Sequence, residues 1–255
     1  NNSADFVSSV PGLRNSKVVS GGDLTLNIDV IDLFPKIVSA FVMDEDNTTD
    51  GSQVFPSPGS VKKASIIAKV NNTNITEAWV VFDKNYSLDF NQTHCYGEMD
   101  MDYFDAPGNY SGSIFVKNEE GFVSNMSFVF EYVSMSAFEI DSSSLDVEVP
   151  KGSYVEIYGD ENMSSVDKPT IRNVGNVQLE IGMSGEASDF GVGNIKYSFT
   201  DNLSSARNLT SSNDVNNVGL VSSFVVPLSM RIEAPVDVAE GSYVGSVRVV
   251  AEESE

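Results

Sequence analysis

Tyr110-Ser111-Gly112-Ser113-Ile114-Phe115-Val116-Lys117 is followed by Asn118-Glu119-Glu120-Gly121 and then by Phe122-Val123-Ser124-Asn125-Met126-Ser127-Phe128-Val129-Phe130-Glu131-Tyr132-Val133. Two runs rich in β-branched and aromatic residues flank a polar loop that ends in glycine. That is the pattern of a β-hairpin. In the second run Phe128, Phe130 and Tyr132 alternate with Ser127, Val129 and Glu131, the period of a strand with one buried face.

The same grammar extends upstream. Strands are expected at Lys36–Met43, Val61–Val70, Ala78–Phe82, Tyr86–Phe90 and Cys95–Phe104. The turns between them are rich in Pro, Gly, Asn and Asp. Ser134-Met135-Ser136 marks a boundary. A second β-rich series follows at Ala137–Ile140, Leu145–Val149, Tyr154–Tyr158, Thr170–Asn173, Val177–Met183, Ile195–Thr200, Leu220–Ile232 and Tyr243–Ala251. Pro227 is expected to break the seventh of these, and Asp201–Asn217 is read as an exposed loop. A turn of helix is allowed in Asp160–Val166. Short strands without helical periodicity imply an all-β chain of two tandem antiparallel β-sandwich domains of immunoglobulin type. The expected boundaries are 1–33 for an N-terminal extension, 34–134 for the first sandwich and 135–255 for the second.

Charge and composition narrow the function. The chain has 15 Lys+Arg against 37 Asp+Glu, a net charge of −22. Acidic residues spread along the whole length disfavour nucleic acid and anionic lipid as partners. No apolar run is long enough for a membrane span. The polar start Asn1-Asn2-Ser3 is the start expected of a processed chain. The lone Cys95 forbids an intrachain disulfide and is read as a buried filler. The lone histidine, His94, is its neighbour on an expected strand, so the two point to opposite faces and form no nucleophile–base pair. No zinc cluster or phosphate loop occurs, and the expectation is a protein without enzymatic activity.

The strongest compositional signal is Asn-X-Ser/Thr. It occurs at Asn1, Asn47, Asn71, Asn74, Asn85, Asn91, Asn109, Asn125, Asn162, Asn202 and Asn208. Eleven occurrences compare with roughly 4 expected by chance from the Asn, Ser and Thr content. After the first, these fall at expected turns or on polar strand faces, where an N-linked glycan fits. Glycosylation places a chain at the cell surface or in the secreted fraction.

Two further features are weighed. Asp44, Asp46 and Asp50, with Thr48 and Gly51, set oxygen ligands at alternate positions, as calcium loops do. The distal Glu of such loops is missing, and a bare acidic turn is the competing reading. Trp79 is read as a core residue, with a sugar-binding platform as the alternative.

One strand has no domain of its own. In Leu24-Thr25-Leu26-Asn27-Ile28-Asp29-Val30-Ile31-Asp32, the residues Leu24, Leu26, Ile28 and Val30 alternate with polar ones. A polar stretch precedes it and Pro35 follows. It is expected to pair with a sheet edge in its own chain or in a neighbour's, with disorder as the remaining alternative.

The stretch Lys168-Pro169-Thr170-Ile171-Arg172-Asn173-Val174-Gly175-Asn176-Val177, with Gly193-Asn194-Ile195-Lys196-Tyr197-Ser198 and Ala239-Glu240-Gly241-Ser242-Tyr243-Val244-Gly245-Ser246, resembles a β-sandwich module of archaeal secreted and cell-surface proteins. Asn173 and Gly175-Asn176 are read there as a turn needing positive φ. Pro58-Gly59-Ser60 and Ala106-Pro107-Gly108-Asn109-Tyr110-Ser111-Gly112 resemble archaeal immunoglobulin-like surface repeats. In such arrays the strand before the Pro-x-Ile entry belongs to the preceding domain, so the resemblance makes Leu24–Ile31 a displaced final strand. The implied function is a structural subunit of an extracellular archaeal filament. It would be a pilus-like homopolymer built by donating this strand to the next subunit. The alternative is a surface-layer or adhesin module that binds glycans or another cell.

Overall fold

The computed structural model describes residues 32–44, 53–71, 74–187, 190–212 and 214–254. Phe34–Glu255 forms one compact unit. The chain is all-β, apart from one-turn 3-10 helices at Val192–Asn194 and Leu203–Ser205 among the described residues.

Two sheets enclose the first hydrophobic cluster. One has the order β1 (Ile37–Asp44), β3 (Lys62–Val70), β7 (His94–Met101), β6 (Asp89–Phe90). The other runs β2 (Gln53–Val54), β9 (Val123–Tyr132), β8 (Gly108–Asn118), β4 (Ile75–Val81), β5 (Asn85–Ser87). The opening hairpin is β8 and β9, paired from Gly108↔Tyr132 to Lys117↔Val123. All pairs are antiparallel except the short β2–β9 contact. The inward rows are those that alternation sets: Ala64, Ile66, Ala68 and Val70 from β3, Cys95, Met99 and Met101 from β7, Ile114 and Val116 from β8, and Phe128, Phe130 and Tyr132 from β9.

A second cluster is enclosed by three sheets. Their orders are β10 (Phe138–Ile140), β12 (Thr170–Asn173), β17 (Val225–Pro227); β11 (Tyr154–Ile157), β18 (Ser229–Glu233), β14 (Ile195–Ser198), β15 (Arg207–Asn208); and β16 (Asp214–Leu220), β13 (Leu179–Ala187), β19 (Gly245–Glu253). Ile171, Leu179, Ile181, Met183, Tyr197, Leu209, Leu220 and Met230 form its centre.

Three expectations need correction. Tyr86–Phe90 is not one strand: Leu88 turns into the core at 3% exposure, so β5 joins one sheet and β6 the other. Leu220–Ile232, by contrast, splits where its proline was expected to break it: Pro227 ends β17, and buried Leu228 separates it from β18 in a different sheet. Leu145–Val149 forms no backbone ladder, and although Leu145 packs against the second cluster, Val147 is exposed. The expected loop Asp201–Asn217 contains β15 and the start of β16. There, pairing of Val218 and Leu220 against Ile181 and Leu179 of β13 outweighs the poor strand propensity of Asn216 and Asn217. Asp160–Val166 contains turns and no helix.

Two inward positions are charged. Lys62 heads the buried row of β3, and its Nζ lies 2.6 Å from Asp44 Oδ1 at the end of β1. Asp44 Oδ2 accepts the Phe55 N–H at 3.0 Å. Both side chains are buried, so each charge depends on the other for solvation. Lys62→Ala is expected to cost about 3–5 kcal/mol of stability. The check is the urea unfolding midpoint, and the double replacement of Lys62 and Asp44 by apolar residues should recover part of the loss.

Candidate functional site

The sequon asparagines divide the surface. Asn71, Asn74, Asn85, Asn91, Asn109, Asn125, Asn162, Asn202 and Asn208 are all exposed. Asn118, Asn173 and Asn176 are buried and Asn194 is half-buried, and none of these four is in a sequon. Several sequon side chains build their own turns. Asn91 Oδ1 accepts the N–H groups of Thr93 and His94 at 2.9 and 2.8 Å. Asn162 Oδ1 accepts from Ser164 N, and Asn202 Oδ1 from Ser204 N. Asn47 lies outside the described residues, as does Asn1.

Three of these asparagines lie on the outer face of the β2–β9–β8–β4–β5 sheet. Asn85 is on β5, Asn109 on β8 and Asn125 on β9. The same face carries Trp79, which sits between buried Ala78 and Val80 and therefore points outward. This corrects its reading as a core residue. Its cross-strand partner is Phe115, and the two rings stack with centroids 5.3 Å apart at 5°. Phe115 in turn faces Asn125 across β8 and β9. One row across four strands therefore reads Ser87, Trp79, Phe115, Asn125. Beside it, a shallow depression of about 280 Å³ is lined by Val81, Ser111, Gly112, Ser113, Phe115 and Ser127. The Ser113 and Ser127 hydroxyls are 3.1 Å apart. Phe115 was not singled out from sequence; the signal that places it is its position between inward Ile114 and Val116.

At one end of the same sandwich, Asp83, Asp100, Asp102 and Asp105 line a cleft of about 380 Å³ with Phe82, Lys84, Met101, Tyr110 and Ser111. Partial burial holds the Asp105 carboxyl above its usual range, helped by Asp102 and Asp83 and opposed by the Asp102 N–H that it accepts. Burial first, then the hydrogen bond to Asp83, raises the Tyr86 phenol. Among the described residues no group of three or more His, Cys, Asp or Glu side chains is placed to hold a metal ion. Of the calcium candidates, Asp44 is committed to Lys62 and Phe55 as described, while Asp46 and Asp50 lie outside the described residues.

His94 and Cys95 occupy opposite faces of β7. Cys95 is fully buried, and burial pushes its thiol up to about 11, while His94 Nδ1 lies 2.8 Å from Thr93 Oγ1.

The expected assembly strand, Leu24, Leu26, Ile28 and Val30, lies outside the described residues. A long edge suited to receive such a strand is present. Among the described residues, β19 has a single strand neighbour, β13, across nine residue pairs from Leu179↔Glu253 to Ala187↔Gly245. Gly245–Arg248 are all exposed. Val249 and Ala251 pack against the second cluster, and Val247 on the same face is 43% exposed. No strand of the β16–β13–β19 sheet carries a sequon. No helix among the described residues is long and apolar enough to cross a membrane.

No known protein family matches the chain, and no curated protein matches it. Among solved structures it is similar to a carbohydrate-binding module of the β-sandwich superfamily, at 10% identity and a TM-score of 0.28, covering 88% of this chain and 98% of that one. It is also similar to a chain from a study of a chaperone–tip adhesin complex in CFA/I fimbriae biogenesis, at 9% identity and a TM-score of 0.32, with 84% of each chain covered. At TM-scores of this size neither likeness bears on function.

The raised Asp105 carboxyl has a measurable consequence. A carboxyl whose folded pKa exceeds its unfolded one stabilises the fold below the unfolded pKa, and this is lost as pH rises through the folded pKa. Asp105→Asn keeps an acceptor for the Asp102 N–H and removes the charge. Its melting temperature at pH 7 is expected to rise by about 1–2 °C, and the gain should vanish near pH 3, where both side chains are neutral. Thermal melts at the two pH values check this.

Proposed function

We propose that this protein is a glycosylated structural subunit of an extracellular, archaeal, pilus-like filament, without enzymatic activity. Each copy donates Leu24–Ile31 to the open edge of β19 in the next copy. The observation that carries the reading is that edge: nine residues long, bordered among the described residues by β13 alone, exposed along its first half and free of sequons.

The complementarity is one of period. Val247, Val249 and Ala251 present an apolar row on the core side of β19, incompletely covered at Val247. A strand laid alongside would set Leu24, Leu26, Ile28 and Val30 as the next row on the same face, with its backbone satisfying the edge groups of β19. Its polar Thr25, Asn27 and Asp29 then face outward with Ser246, Arg248 and Glu252. A head-to-tail contact of this kind does not close on itself and so propagates. The partition of the asparagines supports the extracellular setting: glycans on every exposed sequon would hydrate the surface and leave the accepting sheet bare. Long, unprotected edge strands are otherwise an aggregation hazard, which makes a dedicated occupant for β19 the economical reading.

Removing residues 1–32 should leave a folded monomer unable to polymerise. Val247→Lys in the full chain should also block polymerisation, because it sets a charge in the accepting row without touching the donor. Mixing the two variants tests direction: the Val247→Lys chain, with its donor intact, should cap the truncated chain and give discrete dimers by light scattering. Polymers from either variant alone would contradict the proposal.

A further inference from the structure

The row Trp79–Phe115–Asn125 gives one of the sequons a role beyond hydration. We infer that the first sugar on Asn125 packs on the outward-facing, half-buried ring of Phe115, extending the Trp79–Phe115 stack by one layer and making this glycan part of the folded structure. The inference rests on the reading that the exposed sequons are glycosylated.

Three observations meet at this point. The first is the register. Asn125 pairs directly with Phe115, which pairs directly with Trp79, all on the outer face. Directly opposed residues hold their Cβ atoms about 4.5–5.5 Å apart, so a sugar on the Asn125 Nδ2 starts beside the Phe115 ring. The second is the orientation of the rings. Trp79 and Phe115 are parallel within 5°, and β8 lies between β4 and β9. Trp79 therefore covers one face of Phe115, and the other face is turned towards the strand bearing Asn125. A pyranose has an apolar side formed by its axial C–H groups, and that side matches a free aromatic face as a third layer would. The third is the depression walled by Phe115, Ser113 and Ser127. Ser127 is the third residue of the Asn125 sequon, and its side chain lies on the same face. The Ser113–Ser127 pair offers hydroxyls that can exchange their mutual 3.1 Å hydrogen bond for bonds to sugar hydroxyls.

Asn208 provides the contrast. It is equally exposed, but its cross-strand partner is Lys196, which offers no ring. A glycan there should hydrate the surface without adding to the fold.

The experiment is a double-mutant cycle on the full glycoprotein, with glycopeptide mass spectrometry establishing occupancy. Asn125→Gln should lower the melting temperature by about 3 °C. It should have no effect in unglycosylated protein made in a non-glycosylating host. In a Phe115→Ser background the effect should shrink to less than a third of that. Asn208→Gln should be neutral in every background. An unoccupied Asn125 would overturn the glycosylation on which the inference rests. An occupied Asn125 with additive melting shifts would overturn the stack alone.

Discussion

Two buried asparagines and a glycine between β12 and β13 hold the junction on which the two clusters depend. Asn176 Oδ1 accepts the Met135 N–H at 2.6 Å, and its Nδ2 donates to Val133 O at 2.9 Å. Asn173 Nδ2 donates to Val177 O and Leu220 O at 2.8 and 2.9 Å, while its Oδ1 accepts the Gly175 N–H. The backbone adds Val174 N to Ala137 O, and Gly59 N from the first half of the chain to Val174 O, both at 3.0 Å. The segment leaving β9 is thereby bonded to the β12–β13 bend, and through Leu220 to β16. These groups have little access to water, so each is costly to leave unpaired, at about 1–3 kcal/mol apiece. Gly175 is required for a reason of space: a Cβ there would lie 2.2 Å from Met135 O. Its φ is not positive, which corrects the expected turn conformation.

Much of this was legible in the sequence, and the failures share a cause. Alternation identified the strands that have one buried face, such as β3, β8 and β9. It failed at Leu88, where a chain segment changes sheets, because a strand that swaps sheets keeps its hydrophobic period while its hydrogen-bond partner changes; at Leu228 the same change was signalled by Pro227. It failed in the other sense at Leu145–Val149, where no ladder forms and Val147 is exposed. The Asn-x-Gly-Asn motif marked a special place, yet the partners that make it special are distant in sequence: Met135, Val133 and Leu220. Trp79 was misplaced by composition. A Val-rich surrounding suggested a core, whereas its parity with Ala78 and Val80 places it outside.

The surface divides along the same lines of parity. On the sheet containing β8 and β9, outward positions hold three sequons and a pair of stacked rings. On the β16–β13–β19 sheet they hold none, and β19 ends the sheet with no second neighbour among the described residues. On the proposed reading these are two halves of one design, with glycans on surfaces that stay in solvent and none where another copy must seat. The high negative charge acts in the same direction, because it discourages nonspecific contact between copies and leaves backbone pairing and apolar rows to select the joint.

The central claim is that the strand near the start of one copy completes the sheet of the next. Cryo-electron microscopy of material secreted by the native cell tests it most directly. The account predicts a filament in which Leu24–Val30 forms a ladder with β19 of the adjacent subunit and its leucines cover Val247. Density placing that strand against its own chain, or secreted material consisting of isolated monomers, would contradict it.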